Sequence, residues 1–127
     1  VFGLESDADF FSAQGHLVTH VRDPWSLGEN SNHQFDVVFD HGFFNSISVD
    51  ERRKVAPLYK RLLAEGGYLL GVYFILNPAA TAPFGLTEWE LREYLKQRFS
   101  MLYWTRWKKS TPERIGTELM VYAQIKA

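Results

Sequence analysis

Three acidic residues in the first third of the chain stand where an apolar run gives way to polar residues. Glu5 follows Val1 to Leu4, Asp23 follows Leu17 to Val21, and Asp40, with His41 next to it, follows Phe35 to Phe39. In an open α/β sheet, ligands bind beyond the carboxyl ends of the strands near the switch in strand order, so acids at successive strand exits can face one crevice. A carboxylate after an early strand can accept hydrogen bonds from both hydroxyls of a ribose, and the acid of the next exit can accept one from the exocyclic amine of an adenine. The three exits together describe a nucleoside pocket. Each acid taken singly also reads as a solvated strand end or a helix cap.

Other constellations carry less. His16, His20, His33 and His41 lie on different elements with no i, i+4 pair and no cysteine partner, so no metal site is expected. No serine sits in a Gly-x-Ser-x-Gly turn, and Ser46 and Ser48 near His41 are ordinary loop composition. Tyr103, Trp104 and Trp107 with Lys108 and Lys109 could stack bases, but fourteen basic against fifteen acidic residues leave a formal charge of -1. That balance offers no general attraction to nucleic acid or an anionic membrane, so sheet-edge packing is the expected role of the cluster.

The elements that must position the three exits follow from residue pattern. Val1 to Leu4 reads as a short strand, Phe10, Phe11 and Ala13 as a helix ending at Gly15, and Leu17 to Val21, β-branched at three positions, as a strand ending at Asp23-Pro24. Phe35 to Phe39 is apolar on both faces, as a strand buried between two helical layers is. Asp50 can cap a helix in which Val55, Leu58, Tyr59, Leu62 and Leu63 recur at spacings of three and four. Arg52, Arg53, Lys54, Lys60 and Arg61 lie between them, and Gly66-Gly67 stops it. Tyr68 to Leu76 is a second continuous apolar run of the kind parallel sheets need. Thr87-Glu88-Trp89-Glu90 has capping-box spacing for a helix carrying Leu91, Tyr94 and Leu95. Phe99 to Trp107 and Glu118 to Ile125 read as two late strands. Strands near Val1, Leu17, Phe35 and Tyr68 are expected to run parallel, with an antiparallel neighbour among the last two.

The totals fit one such domain over residues 1–127: 46% hydrophobic and 16% aromatic residues describe a packed globule. The longest apolar stretch, Gly67 to Leu76, is about half the length of a bilayer-spanning helix, and no signal peptide or transmembrane segment is read. The absence of cysteine fits a reducing compartment, with cytoplasm as the expected location.

The segment FDVVFDHGFFNSISVDERRKVAPLYKRLLAEGGYLLGVYF resembles the fourth-to-fifth-strand region of class I S-adenosylmethionine-dependent methyltransferases. VFGLESDADFF, APFGLTEWEL and TPERIGTELMVYAQ are similar, in order, to the ribose strand, the substrate-side loop and the last-strand approach of the thiopurine and thiol/halide methyltransferase family. The resemblance implies a Rossmann-like, doubly wound, mostly parallel sheet with an antiparallel edge. It implies S-adenosylmethionine as cofactor and methyl transfer to a small-molecule acceptor, a thiol, thiopurine or halide. Glu5, with Ser6 beside it, would hold the ribose hydroxyls. Arg22, Asp23 and Pro24 would form the loop beside the adenine, and Phe39, Asp40 and His41 would line the methionine side. Pro83 and Phe84 would lie over the acceptor, with Phe43 and Phe44 walling its pocket. Family members carry a first strand and glycine-rich turn before the ribose strand, so the domain reads as amino-terminally incomplete. Thr81-Ala82 stands where the family often has two glycines, and His41 where it has arginine or an aromatic.

Displacement at a sulfonium carbon by a soft nucleophile needs positioning more than proton transfer, and near-attack geometry supplies on the order of 7 to 11 kcal/mol. No general base is therefore assigned from the sequence, although His41 has a suitable unperturbed titration range at a strand exit. Two other readings share the fold: a methyltransferase acting on an oxygen, nitrogen or carboxylate acceptor, and a non-catalytic module that has lost the glycine-rich turn.

Overall fold

The computed structural model describes residues 23–27 and 34–127. The strands expected near Val1 and Leu17, the helix near Phe10, and the site residues Glu5, Ser6 and Arg22 lie outside them.

Four strands form one sheet among the described residues: β1 (Phe35–His41), β2 (Leu63–Phe74), β3 (Phe99–Arg106) and β4 (Glu118–Ile125), in the order β1-β2-β4-β3. β1 pairs with β2 in parallel, as the intervening helical crossover requires. β4 inserts between β2 and β3 and is antiparallel to both, so β1, β2 and β3 share one direction. The expected antiparallel neighbour at the end of the chain is therefore β4, and β3 is the edge.

Three α-helices among the described residues cover one face: α1 (Phe43–Ser46), α2 (Val55–Leu62) and α3 (Glu88–Leu95). Alternate strand residues Leu69 and Tyr73 of β2 and Leu119, Val121 and Ala123 of β4 point into this layer. There they meet Phe44, Val55, Tyr59, Leu91 and Leu95 in one buried cluster. At about 25 cal/mol per Å² of apolar surface removed from water, this interlayer core is the main favourable contribution to folding. Among the described residues the opposite sheet face carries no helix: Val37 is 51% and Phe39 61% exposed, and Tyr68 and Tyr122 stack on it with ring centroids 5.2 Å apart.

Two boundaries differ from the sequence pattern. The helix expected from Asp50 begins as a 3-10 segment, Val49–Lys54, and becomes α-helical at Val55. Pro57 explains this, because it has no N–H to donate to Arg53 and its ring crowds that carbonyl, so α-helix cannot extend back past the turn it opens. The helix then stops at Leu62, and β2 starts before the glycine pair rather than after it. Gly66 adopts φ +74°, and the register jumps between Phe35↔Leu63 and Val37↔Tyr68, so the strand enters through a glycine-dependent irregularity. The Thr87 cap forms as its spacing implies, with its hydroxyl accepting from the Glu90 N–H at 3.1 Å.

Gly71 occupies a position that tolerates no side chain, because a Cβ there would lie 2.3 to 2.6 Å from the Tyr73 ring two residues on. Gly71→Ala should destabilise the domain by about 1 to 3 kcal/mol through this overpacking, read by chemical denaturation. An unchanged midpoint and slope would show that Tyr73 can move aside.

Candidate functional site

At the carboxyl end of β1 the chain turns sharply through Gly42, whose φ of +87° is a left-handed conformation that favours glycine, and enters α1. Asp40 organises this turn. One carboxylate oxygen accepts from the Phe43 N–H at 2.9 Å and from the Phe44 N–H at 3.4 Å, which are free donors at the start of α1. The other accepts from the Tyr59 hydroxyl of α2, which lies 3.0 Å from the Tyr73 hydroxyl of β2. The acid is 3% exposed. Burial raises its pKa to about 6 despite the lowering effect of the hydrogen bonds from Tyr59, Phe43 and Phe44 and of nearby His41. Burial, and next the charge of Asp40, hold Tyr59 and Tyr73 well above the ordinary tyrosine range.

Asp40 thus turns both carboxylate oxygens inward, and any contact with a cofactor falls to its backbone and to its neighbours. Phe39 and His41 alternate with it onto the open face, where their rings lie 6.3 Å apart and His41 meets Phe74 edge-on at 5.8 Å. Phe43 is half-buried against Trp25, at 6.2 Å. Phe44 does not wall a surface pocket: it is fully buried, 5.7 Å from Tyr73 and 5.9 Å from Tyr94, because the second residue of α1 faces the core.

Asp23 caps a 3-10 turn at Pro24–Ser26, its carboxylate accepting from the Trp25 N–H at 3.1 Å in an exposed position. The turn is fastened to the helical layer by Trp25 Nε1 donating to Glu51 at 2.9 Å and by Arg61 donating to the Trp25 and Leu27 carbonyls. The Trp25–Phe43 contact brings the Asp23 turn beside the β1 exit. Asp23 and Pro24 thus lie near Phe43 on the helical side of the sheet, whereas Phe39 and His41 point to the opposite face.

The loop after β2 carries Pro83, which is exposed, and Phe84, half-buried. Asn45 clamps it: the side-chain amide donates to the Phe74 and Phe84 carbonyls and accepts from the Phe74 N–H, while the backbone carbonyl accepts from the Phe84 N–H at 2.8 Å. Arg52 adds a second tie, donating to the Gly85 carbonyl and pairing with Glu90 at 2.9 Å. It is not one of the solvated basic residues of its helix; it is buried with its guanidinium over the Phe44 ring.

An open recess of about 370 Å³ lies at the same end of the sheet, on the open face. Phe39, His41, Trp107 and Glu118 line it, with Lys109 and Thr111 at its polar side. Sequence reasoning missed Tyr59, Tyr73, Asn45, Arg52 and Glu118 as site-building residues. Buried tyrosines need a hydroxyl partner, so two tyrosines on apolar stripes with one strand-exit acid were an available signal. A carboxylate opening an otherwise apolar strand was another. Among the described residues, no His, Asp and Glu cluster could hold a metal, and no helix is long and apolar enough to cross a membrane.

No family model matches the chain, and no curated protein matches it. Solved structures do. The 1,6-didemethyltoxoflavin-N1-methyltransferase of Burkholderia thailandensis, with 1,6-didemethyltoxoflavin and S-adenosylhomocysteine bound, superposes over 100% of this chain with TM-score 0.71 and 20% identity. The N-methyltransferase NodS of Bradyrhizobium japonicum WM9, in complex with S-adenosylhomocysteine, matches 99% with TM-score 0.73 and 9% identity. A SAM-dependent methyltransferase of Methanosarcina mazei matches 98% of this chain and 81% of its own, with TM-score 0.71 and 19% identity. The chain spans 61% and 66% of the lengths of the first two. Its fold is the Rossmann-like α/β fold of these methyltransferases.

Asp40 is raised in the folded state above its ordinary value of 3.8, so its contribution to stability is fully present below about pH 4 and is lost as pH rises through about 6. Asp40→Asn keeps hydrogen-bonding capacity without the charge. Between pH 4 and 7.5 the stability of wild type should therefore fall relative to that variant by about 2 kcal/mol, measured by denaturation at each pH. A pH-independent difference would show that the burial of Asp40 carries no such cost.

Proposed function

We propose that the chain belongs to an S-adenosylmethionine-dependent methyltransferase acting on a small molecule. The observation that carries this reading is the strand order, with antiparallel β4 inserted between β2 and β3, together with the polar and aromatic residues gathered at the carboxyl ends of β1 and β2. Ligands of open α/β sheets bind at that edge. The residues fit the cofactor: an exposed carboxylate at Asp23 is free to accept from an adenine amine, and Phe39 and His41 offer flat surfaces beside the strand exit. Glu5, with Ser6, and Arg22 are assigned to the ribose and adenine on the sequence resemblance. When bound, the cofactor supplies an electrophilic methyl carbon on a sulfonium. The protein's part is to hold the acceptor in line with that carbon and keep water out.

For the acceptor, the sequence resemblance supports a thiol, thiopurine or halide, with Pro83 and Phe84 over it and Phe43 beside it. One structural observation favours nitrogen instead: the recess beside the β1 exit holds a buried carboxylate, Glu118, which would repel a thiolate or halide anion.

Titration calorimetry of the full-length protein with S-adenosylhomocysteine tests the cofactor reading. Wild type should bind, and Glu5→Ala should weaken binding roughly ten- to hundredfold by removing a charged acceptor of the ribose hydroxyls, with little change in melting temperature. A folded wild type that does not bind would reject the reading. Unchanged affinity in a folded Glu5→Ala variant would reject the assignment of Glu5.

A further inference from the structure

We infer that Glu118, with His41 beside it, forms the acceptor subsite, and that the acceptor presents a nitrogen bearing an N–H, a primary or secondary amine, to this carboxylate. The inference rests on the methyltransferase reading above and names the substrate class of that site.

Glu118 is the first residue of β4 and stands opposite Phe74, the last of β2, so it lies at the same end of the sheet as the β1 exit. Its side chain is 8% exposed. Yet among the described residues the carboxylate accepts no hydrogen bond, and its ionisable neighbour there is the His41 ring, whose Nε2 is 3.7 Å away and beyond hydrogen-bonding range. A carboxylate mostly withdrawn from water, with some solvent contact left at its oxygens and no donor from the protein, favours a ligand that brings one. Here it lines a recess with Phe39, His41 and Trp107, large enough for a small organic molecule. An amine N–H supplies the missing donor, and aromatic walls favour the positive charge that grows on nitrogen as it is methylated. A thiolate or halide would meet the carboxylate as a like charge.

The chemistry balances without a further reactant. The nitrogen lone pair forms the N–CH3 bond as the S–CH3 bond breaks, and that bond's electron pair stays on sulfur, which becomes a neutral thioether. The proton released from nitrogen passes to the Glu118 carboxylate and from there to water in the open recess.

The test uses full-length protein with methyl-labelled S-adenosylmethionine and a panel of amines, thiols and halides, alongside calorimetry with S-adenosylhomocysteine. Wild type should methylate amines in preference to thiols and halides. Glu118→Gln should raise the KM for amines by about tenfold or more while changing affinity for S-adenosylhomocysteine by no more than about twofold. Should that variant not fold, inhibition of wild type decides. An amine should then inhibit about tenfold or more better than the alcohol of the same shape. Equal inhibition by the two, wild-type turnover in Glu118→Gln, or methylation of thiols and not amines would each overturn the assignment. Those outcomes leave cofactor binding intact. A wild type that fails to bind S-adenosylhomocysteine overturns the methyltransferase reading itself.

Discussion

The structure turns on a carboxylate that has been taken out of water and given three donors. Asp40 ends β1, and its hydrogen bonds reach forward to the first turn of α1 and across to Tyr59 of α2, which in turn meets Tyr73 of β2. One side chain therefore joins a strand exit, two helices and the neighbouring strand. The pKa near 6 shows that the hydrogen bonds only partly offset the burial. Such an arrangement contributes a fixed direction for the chain after β1 more than it contributes stability. The residues on either side of Asp40, Phe39 and His41, point to the other face because strand side chains alternate.

Around that anchor, other buried polar groups fix pieces of backbone that have no regular partner. Asn45 spends its whole amide on the end of β2 and the loop carrying Phe84, and Arg52 holds Gly85 from below. Irregular backbone next to a site must be held by side chains, since no ladder of N–H and C=O pairs does so. Arg52 Nε is the described buried side-chain atom left without a partner, consistent with a guanidinium fitted to a loop as well as to Glu90.

The fold was legible where periodicity carried it. Phe35 to Phe39, Glu118 to Ile125 and the Thr87-capped helix stand where apolar runs and capping chemistry put them, and the run Tyr68 to Leu76 falls on a strand that ends at Phe74. Local departures came from single residues whose effect periodicity does not register: Pro57 turning the start of a helix into a 3-10 segment, and Gly66 letting a strand begin before its apparent boundary. The site was legible as a set of positions and less so as a set of orientations. A strand-exit position suggests a ligand-facing acid at Asp40, but its carboxylate faces the core. The family resemblance makes Phe44 a pocket wall, but it is core. Arg52, one of the basic residues between the apolar positions of its helix, is buried. Which way a polar residue points at a strand exit depends on donors from distant segments, here Tyr59 and the amides of α1, and no local pattern announces them.

The most direct test of the central claim is amide hydrogen exchange in wild type and Asp40→Ala. If the carboxylate anchors the turn, the Phe43 and Phe44 amides should exchange about tenfold or more faster in the variant, while the amides pairing β1 with β2 keep their protection. Unchanged exchange at Phe43 and Phe44, or an equal loss of protection throughout the sheet, would contradict it.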